Sequence, residues 1–420
     1  MNDLRQRLQE LARREALRQP PEPARCAMPL EEAIAGRWQE TPGGRCYVTE
    51  RRFGGSYEHG GRRVDGFLTW PSDIWAPFVA GPDGRPFDPA GALFIDAETT
   101  GLGGGGGTYA FLVGVGCFED GVFVLRQFFM ADYEDEPSLL DLLGDALGAS
   151  GGLVSFNGRA FDWPLLASRF VMARRRPIGD ELPHLDLLLL CRRLWRRMLP
   201  SCSLSSLEEH VLGLERSFED IAGHLIPDIY RQYAEDGDAA PLDGVFYHNL
   251  VDVLSLVSLA QVAAEIACEG LERVNDPLCD PYALGRIYEG TGRIEAAARA
   301  YRQAWDGESG SASAWEAGWR ESLLLRRSGQ FDEAVERWKR LRDGPRLDPY
   351  LELAKHYEHR RKDIAEARRW TMAALAWLDE HGERLERWKR QRLSQELGHR
   401  LGRLDGKLAR DATRGQATGN

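Results

Sequence analysis

The chain has 420 residues, with 54 basic and 65 acidic side chains for a net charge of −11, and it is 43% apolar and 28% charged. This is an ordinary soluble composition, long enough for two or three domains that each bury a core, and it excludes a small stapled scaffold. The seven cysteines, Cys26, Cys46, Cys117, Cys191, Cys202, Cys268 and Cys279, are scattered, with no CxxC or zinc spacing. A reduced, cytoplasmic setting is the expectation.

Residues 1–17 read as a charged helix rather than a secretory signal. No run approaches the roughly 20 apolar residues that span a bilayer, so no membrane is expected among the partners. Residues 1–90 form an accessory segment, with a break at Pro20–Pro23, a short β run over Arg45–Glu50, and a Pro- and Gly-dense stretch from Gly81 to Gly91. A mixed α/β domain follows over 91–270. Leu93–Ala97, Ala110–Cys117 and Val122–Phe129 predict three strands with an antiparallel start. A helix over Pro137–Leu147, a buried strand over Leu153–Phe156 and helical periodicity as far as Ala267 come next.

Beyond Asp276 the sequence repeats. Gly292, Ala297 and Tyr301 recur as Gly329, Ala334 and Trp338, a uniform shift of 37 residues, and Ala354, Tyr357 and Ala367 echo them more weakly. Small residues let paired helices approach, and Tyr or Trp fills the space between pairs. Residues 276–380 therefore resemble tetratricopeptide repeats and predict an all-α helical-repeat domain that binds a protein partner. Residues 381–420 read as a basic tail, helical or disordered.

The chemistry concentrates in acids. In Leu93-Phe94-Ile95-Asp96-Ala97-Glu98-Thr99 the alternation of a strand puts Asp96 and Glu98 on one face, beside an apolar run. Two carboxylates that close to a core repel each other unless cations neutralise them, and divalent ions with oxygen ligands do so naturally. Asp162, in Asn157-Gly158-Arg159-Ala160-Phe161-Asp162-Trp163-Pro164, sits at a helix start, where an acid also has a purely structural use. His248 and Asp252 share a helix face at i, i+4, which by itself is also the spacing of a surface pair. Arg192, Arg193, Arg196 and Arg197 line one helical face, either a solvated surface or a track for phosphate oxygens. Gly101 and Gly103–Gly107 mimic a dinucleotide-binding loop. The segment after them is β-like, with no helix to receive a phosphate, so a hairpin turn is expected. Asp186 reads as a helix cap.

In this order, the motifs resemble the proofreading-exonuclease branch of the ribonuclease H-like superfamily, with its four DEDD acids. Asp96 and Glu98 match the first motif, Asp162 with Asn157 the second, and Asp252 the third. Ser203-Leu204-Ser205-Ser206-Leu207 and Leu212-Gly213 are similar to the connecting region. The opening hairpin, Glu98-Thr99-Thr100-Gly101-Leu102 with Gly107 to Gly114, is similar to that of YprB-type proteins, which join such a domain to tetratricopeptide-like repeats. The resemblance implies a ribonuclease H-like α/β domain that binds two Mg²⁺ or Mn²⁺ ions through Asp96, Glu98, Asp162 and Asp252. It implies a 3′ to 5′ exonuclease in which His248 handles the attacking water and Thr99, Asn157, Arg192 and Arg196 contact a nucleic-acid strand, DNA or RNA. The third motif departs from the usual forms, since Tyr247 and His248 occupy their registers with the residue types exchanged. The rival expectation is a non-catalytic adaptor that binds nucleic acid through the α/β domain and a protein through the repeats.

Overall fold

A computed structural model describes residues 27–417, apart from 83–84, 102–106, 218–219, 274–275 and 308–310. The charged helix expected over 1–17, the break at Pro20–Pro23 and most of the glycine run lie outside the described residues. The chain divides into two compact units. One comprises Met1–Arg192 with Leu199–Glu265, the other Arg193–Met198 with Ile266–Asn420.

The first unit is built on an eight-stranded mixed sheet. Its strands are β1 (Arg37–Thr41), β2 (Gly44–Phe53), β5 (Val79–Ala80), β6 (Ala92–Thr99), β7 (Ala110–Glu119), β8 (Val122–Phe129), β9 (Gly152–Ser155) and β10 (His184–Asp186). A separate hairpin pairs β3 (Glu58–His59) with β4 (Arg62–Arg63). The sheet order is β1-β2-β8-β7-β6-β9-β10-β5. The run β6-β7-β8 is antiparallel, with a two-residue turn at Asp120-Gly121 between β7 and β8, whereas β9 lies parallel to β6 and to β10. Parallel neighbours need a crossover, supplied here by helices α1 (Glu136–Gly148) and α2 (Asp162–Met172).

The segment expected to be accessory is woven into this sheet. β2 pairs with β8 from Tyr47↔Phe129 to Phe53↔Phe123, because Cys46, Tyr47 and Val48 carry fully buried side chains that need a second layer. Ala92–Ile95 are buried throughout rather than alternately, the mark of a central strand covered on both faces. Leu93 and Ile95 join a core with Leu139, Leu143 and Phe170. Phe94 packs against Phe67 and Phe123 on the opposite face.

Three more helices matter to the site: α3 (Leu187–Trp195), α4 (Ile226–Asp236) and α5 (Leu242–Glu269). Contrary to the expectation from the sequence, α5 is long and apolar enough to cross a membrane, with a window of mean hydropathy 1.8. That window is 89% buried inside the protein, as befits a core helix.

The second unit is helical. Its hairpins are α6 (Pro281–Gly290) with α7 (Ile294–Gly307), α8 (Ala312–Arg327) with α9 (Phe331–Leu341), and α10 (Asp348–His356) with α11 (Ile364–His381). A long helix, α12 (Arg387–Ala417), follows. The 37-residue period is realised in space. Gly292 and Gly329 both turn their hairpins with positive φ, 75° and 79°, which favours glycine. Ala297 and Ala334 are fully buried, and Tyr301 and Trp338 fill the same place in successive hairpins. Ala354 and Ala367 are buried in the third.

Candidate metal centre

Asp96 and Glu98 project from the end of β6, where the pairing with β7 slips between Glu98 and Thr99. Such a bulge re-aims side chains at a strand end. Asp162 is the first residue of α2, and Asp252, buried at 9% exposure, lies about three turns into α5. The structure thus brings the four acids from three elements into mutual range. Burial raises Asp96 well above the carboxylate range, and the charges of Asp252, Glu98 and Asp162 add to it. Burial likewise pushes Glu98 up to about 7; the charge His248 carries when protonated opposes this, while Asp252 and Asp162 reinforce it. Asp162 also rises to about 7 through burial, with backbone hydrogen bonding against and Asp186 and Asp252 in favour.

Among the described residues, Asp96, Glu98 and Asp162 form no ion pair. No three His, Cys, Asp or Glu side chains there are already drawn together as a closed metal-ligand group. Like-charged carboxylates hold one another apart. The donor set fits hard divalent cations all the same: it is all oxygen, crowded, repulsive and without internal compensation at three of its four members.

Two of the four carboxylates, Asp96 and Asp252, have a side-chain support. Asn249, wholly buried, donates from Nδ2 to Asp96 Oδ2 at 2.9 Å. Asn249 Oδ1 accepts from Gln127 Nε2 at 3.0 Å, and Gln127 Oε1 accepts from Thr49 Oγ1 at 2.9 Å. This chain works because residue 114, opposite Asp96 in β7, is glycine: a Cβ there would stand 2.2 Å from Asn249 Oδ1. Gly114→Ala is therefore expected to push α5 off the sheet, costing about 1–3 kcal/mol in denaturant unfolding.

His248 Nε2 lies 3.5 Å from Asp252 Oδ2. Its Nδ1 is 2.8 Å from Asp220 Oδ1, which places the proton on Nδ1 and turns Nε2 toward the acids. Burial alone would lower its pKa, but Asp252, Glu98 and the Asp220 hydrogen bond outweigh that and raise it. Tyr247 is half-buried beside it. Arg216 donates to Asp252 Oδ1 and to both oxygens of Glu208.

Asp186 is a cap with two further duties. It accepts from the backbone of Leu188 at the start of α3, and also from Asn157 and Arg159, fixing the loop that leads into Asp162. Asn157 has φ 62°, a conformation asparagine tolerates, so its backbone shapes this turn. Thr99 Oγ1 donates to Gly101 O at 2.9 Å. Arg192 is exposed on α3 and Arg196 is exposed in the turn that follows it, because the helix ends at Trp195, and neither pairs with an acid of the cluster among the described residues.

Asn249, Glu208, Arg216 and Asp220 were not singled out by the sequence. Asn249 sits inside the third motif, and Arg216 three positions after Leu212-Gly213. Only a fold can show that they converge. Phe161, immediately before Asp162, is 59% exposed and was equally silent.

The fold is of nuclease type: the RNase_H superfamily matches residues 93–264, the stretch in which all four acids lie. The chain belongs to this superfamily. It is 32% identical over 286 residues to "Uncharacterized protein YprB" of Bacillus subtilis (strain 168), covering 66% of this chain and 67% of that protein. The helical second unit fits the repeat-like region that the resemblance led one to expect.

Proposed function

We infer that the first unit hydrolyses phosphodiester bonds of nucleic acid with divalent metal ions, Mg²⁺ or Mn²⁺, and acts as a 3′ to 5′ exonuclease. The observation that carries this reading is the pooling of Asp96, Glu98, Asp162 and Asp252, three of them without a paired cation. Asp96, Glu98, Asp162 and Asp252 would together hold the ions, with His248 beside Asp252. Two such ions stabilise the attacking and leaving oxygens of an in-line displacement.

The chain's own residues do the rest. With Nδ1 committed to Asp220, His248 Nε2 orients the attacking water and takes its proton. Phe161 offers an exposed aromatic face on which a terminal base can stack, and Arg192 and Arg196 offer forks for phosphate. The helical second unit, read as tetratricopeptide-like, is assigned a protein partner.

End-labelled DNA and RNA strands with Mn²⁺ test the reading. Stepwise release of mononucleotides from the 3′ end, with a circular single strand left intact, is expected. Early fragmentation of the circle would make the enzyme an endonuclease. Metal uptake with no cleavage of either polymer would replace it with a nucleic-acid-binding adaptor.

A further inference from the structure

The third motif rests on a residue that no motif contains. Glu208 is almost completely buried, at 1% exposure, in a π-helical turn over Glu208–Leu212 that closes on left-handed Gly213. An isolated carboxylate there is untenable. Arg216 meets it with two parallel hydrogen bonds, Nε to Oε2 at 2.7 Å and Nη2 to Oε1 at 2.8 Å. Ser255 Oγ, on α5, donates to Glu208 Oε1 at 2.6 Å, His59 Nε2 stands 2.9 Å from that hydroxyl, and Ser258 Oγ donates to His59 O at 2.8 Å. Glu208 is thus held by Arg216 and by Ser255 of α5, with His59 of β3 backing Ser255, and Arg216 inherits its fixity.

The guanidinium then reaches the site with its remaining donors. Nη2 bonds Asp252 Oδ1 and Nη1 donates to Asp220 Oδ2 at 3.3 Å, while Nη1 also packs 3.0 Å from His248 Nδ1, without donating to it because that nitrogen carries the proton shared with Asp220. One planar group therefore touches Asp252, His248 and the acid that orients His248. With Oδ1 occupied, Asp252 has one oxygen, Oδ2, left to face a cation.

We propose that Arg216 is the positioning residue of the metal centre: anchored on Glu208, it fixes Asp252 as a one-oxygen ligand and sets the His248 ring beside it. This rests on the reading of the four acids as cation ligands. A lysine cannot substitute, because a single ammonium does not span Glu208 and Asp252 as a fork does.

The competing role for Arg216, a mere counter-charge, has the opposite sign. Removing a positive charge from a cation site should tighten Mn²⁺ binding, whereas removing a positioning residue should weaken it. The test is Mn²⁺ calorimetry on the full chain, with thermal melts alongside, for Arg216→Lys and for the double variant Glu208→Gln/Arg216→Met, which leaves no stranded charge at position 208. Both are expected to bind Mn²⁺ about 10-fold more weakly, as for loss of an outer-shell partner, with the double variant melting near the parent. Binding at parental strength or tighter in either variant overturns the proposal, as does failure of both to fold, which would assign Arg216 to stability alone. Asp252→Asn separates the two claims: if it binds Mn²⁺ like the parent, the reading of the acids fails; if only it loses binding, the role of Arg216 alone fails.

Discussion

Asp96→Asn should abolish Mn²⁺-dependent cleavage while making the metal-free protein more heat-resistant. Asparagine keeps the shape of the side chain and can still meet Asn249, so the fold has no reason to change. What goes is the charge at the centre of the cluster. Metal stabilisation of the reacting oxygens amounts to several kcal/mol, so a loss on the order of 10³-fold in rate is expected. The same change removes the carboxylate that Asp252, Glu98 and Asp162 oppose most. In chelator above neutral pH, the variant should therefore melt higher than the parent. Full retention of cleavage would remove the metal centre; a lower melt would show that repulsion is not what burdens this pocket.

Heat stability without metal should fall as pH rises from about 4, the ordinary carboxylate range, to about 7, where Glu98 and Asp162 titrate in the fold. The direction follows from proton counting. Across that window the folded chain holds protons that the unfolded chain has released, so raising pH favours unfolding. His248, whose pKa is also raised, acts in the same direction. Divalent cations need ionised carboxylates, so their stabilising effect should grow with pH. At about 100 times the dissociation constant the gain is about 2.7 kcal/mol, or roughly 5–10 °C for a unit of this size. Melts at pH about 5.5 and about 8, in chelator and in Mn²⁺, check this. An effect of Mn²⁺ equal at both values would contradict it.

Much of the fold could be read from the sequence because it is written in period and punctuation. The strands over Leu93–Ala97, Ala110–Cys117 and Val122–Phe129 appear within two residues of their expected ends, since apolar runs bounded by turn residues have one stable use. The hairpins around Gly292 and Gly329 appear because a positive φ demands glycine at each. The acids were legible for a different reason: a buried carboxylate is costly, so Asp96 beside Ile95 calls for an explanation. The supports were not legible. Asn249, Arg216 and Glu208 are ordinary polar residues until β7 and α5 close around them, and Gln127 and Thr49 lie on strands whose neighbours the sequence does not state. The β1-β2 hairpin was underrated for the same cause, because strand pairing between residues 47 and 129 leaves no local trace.

That hairpin also bears on how the molecule can be dissected. A fragment begun at residue 91, where composition invites a cut, would lose β2 and bare the outer backbone of β8 from Phe123 to Phe129, an open template for self-association. It would also lose Thr49 and His59, the far ends of the two polar chains that reach Asp96 and Asp252. The smallest self-contained form of the first unit therefore begins well upstream of its first acid.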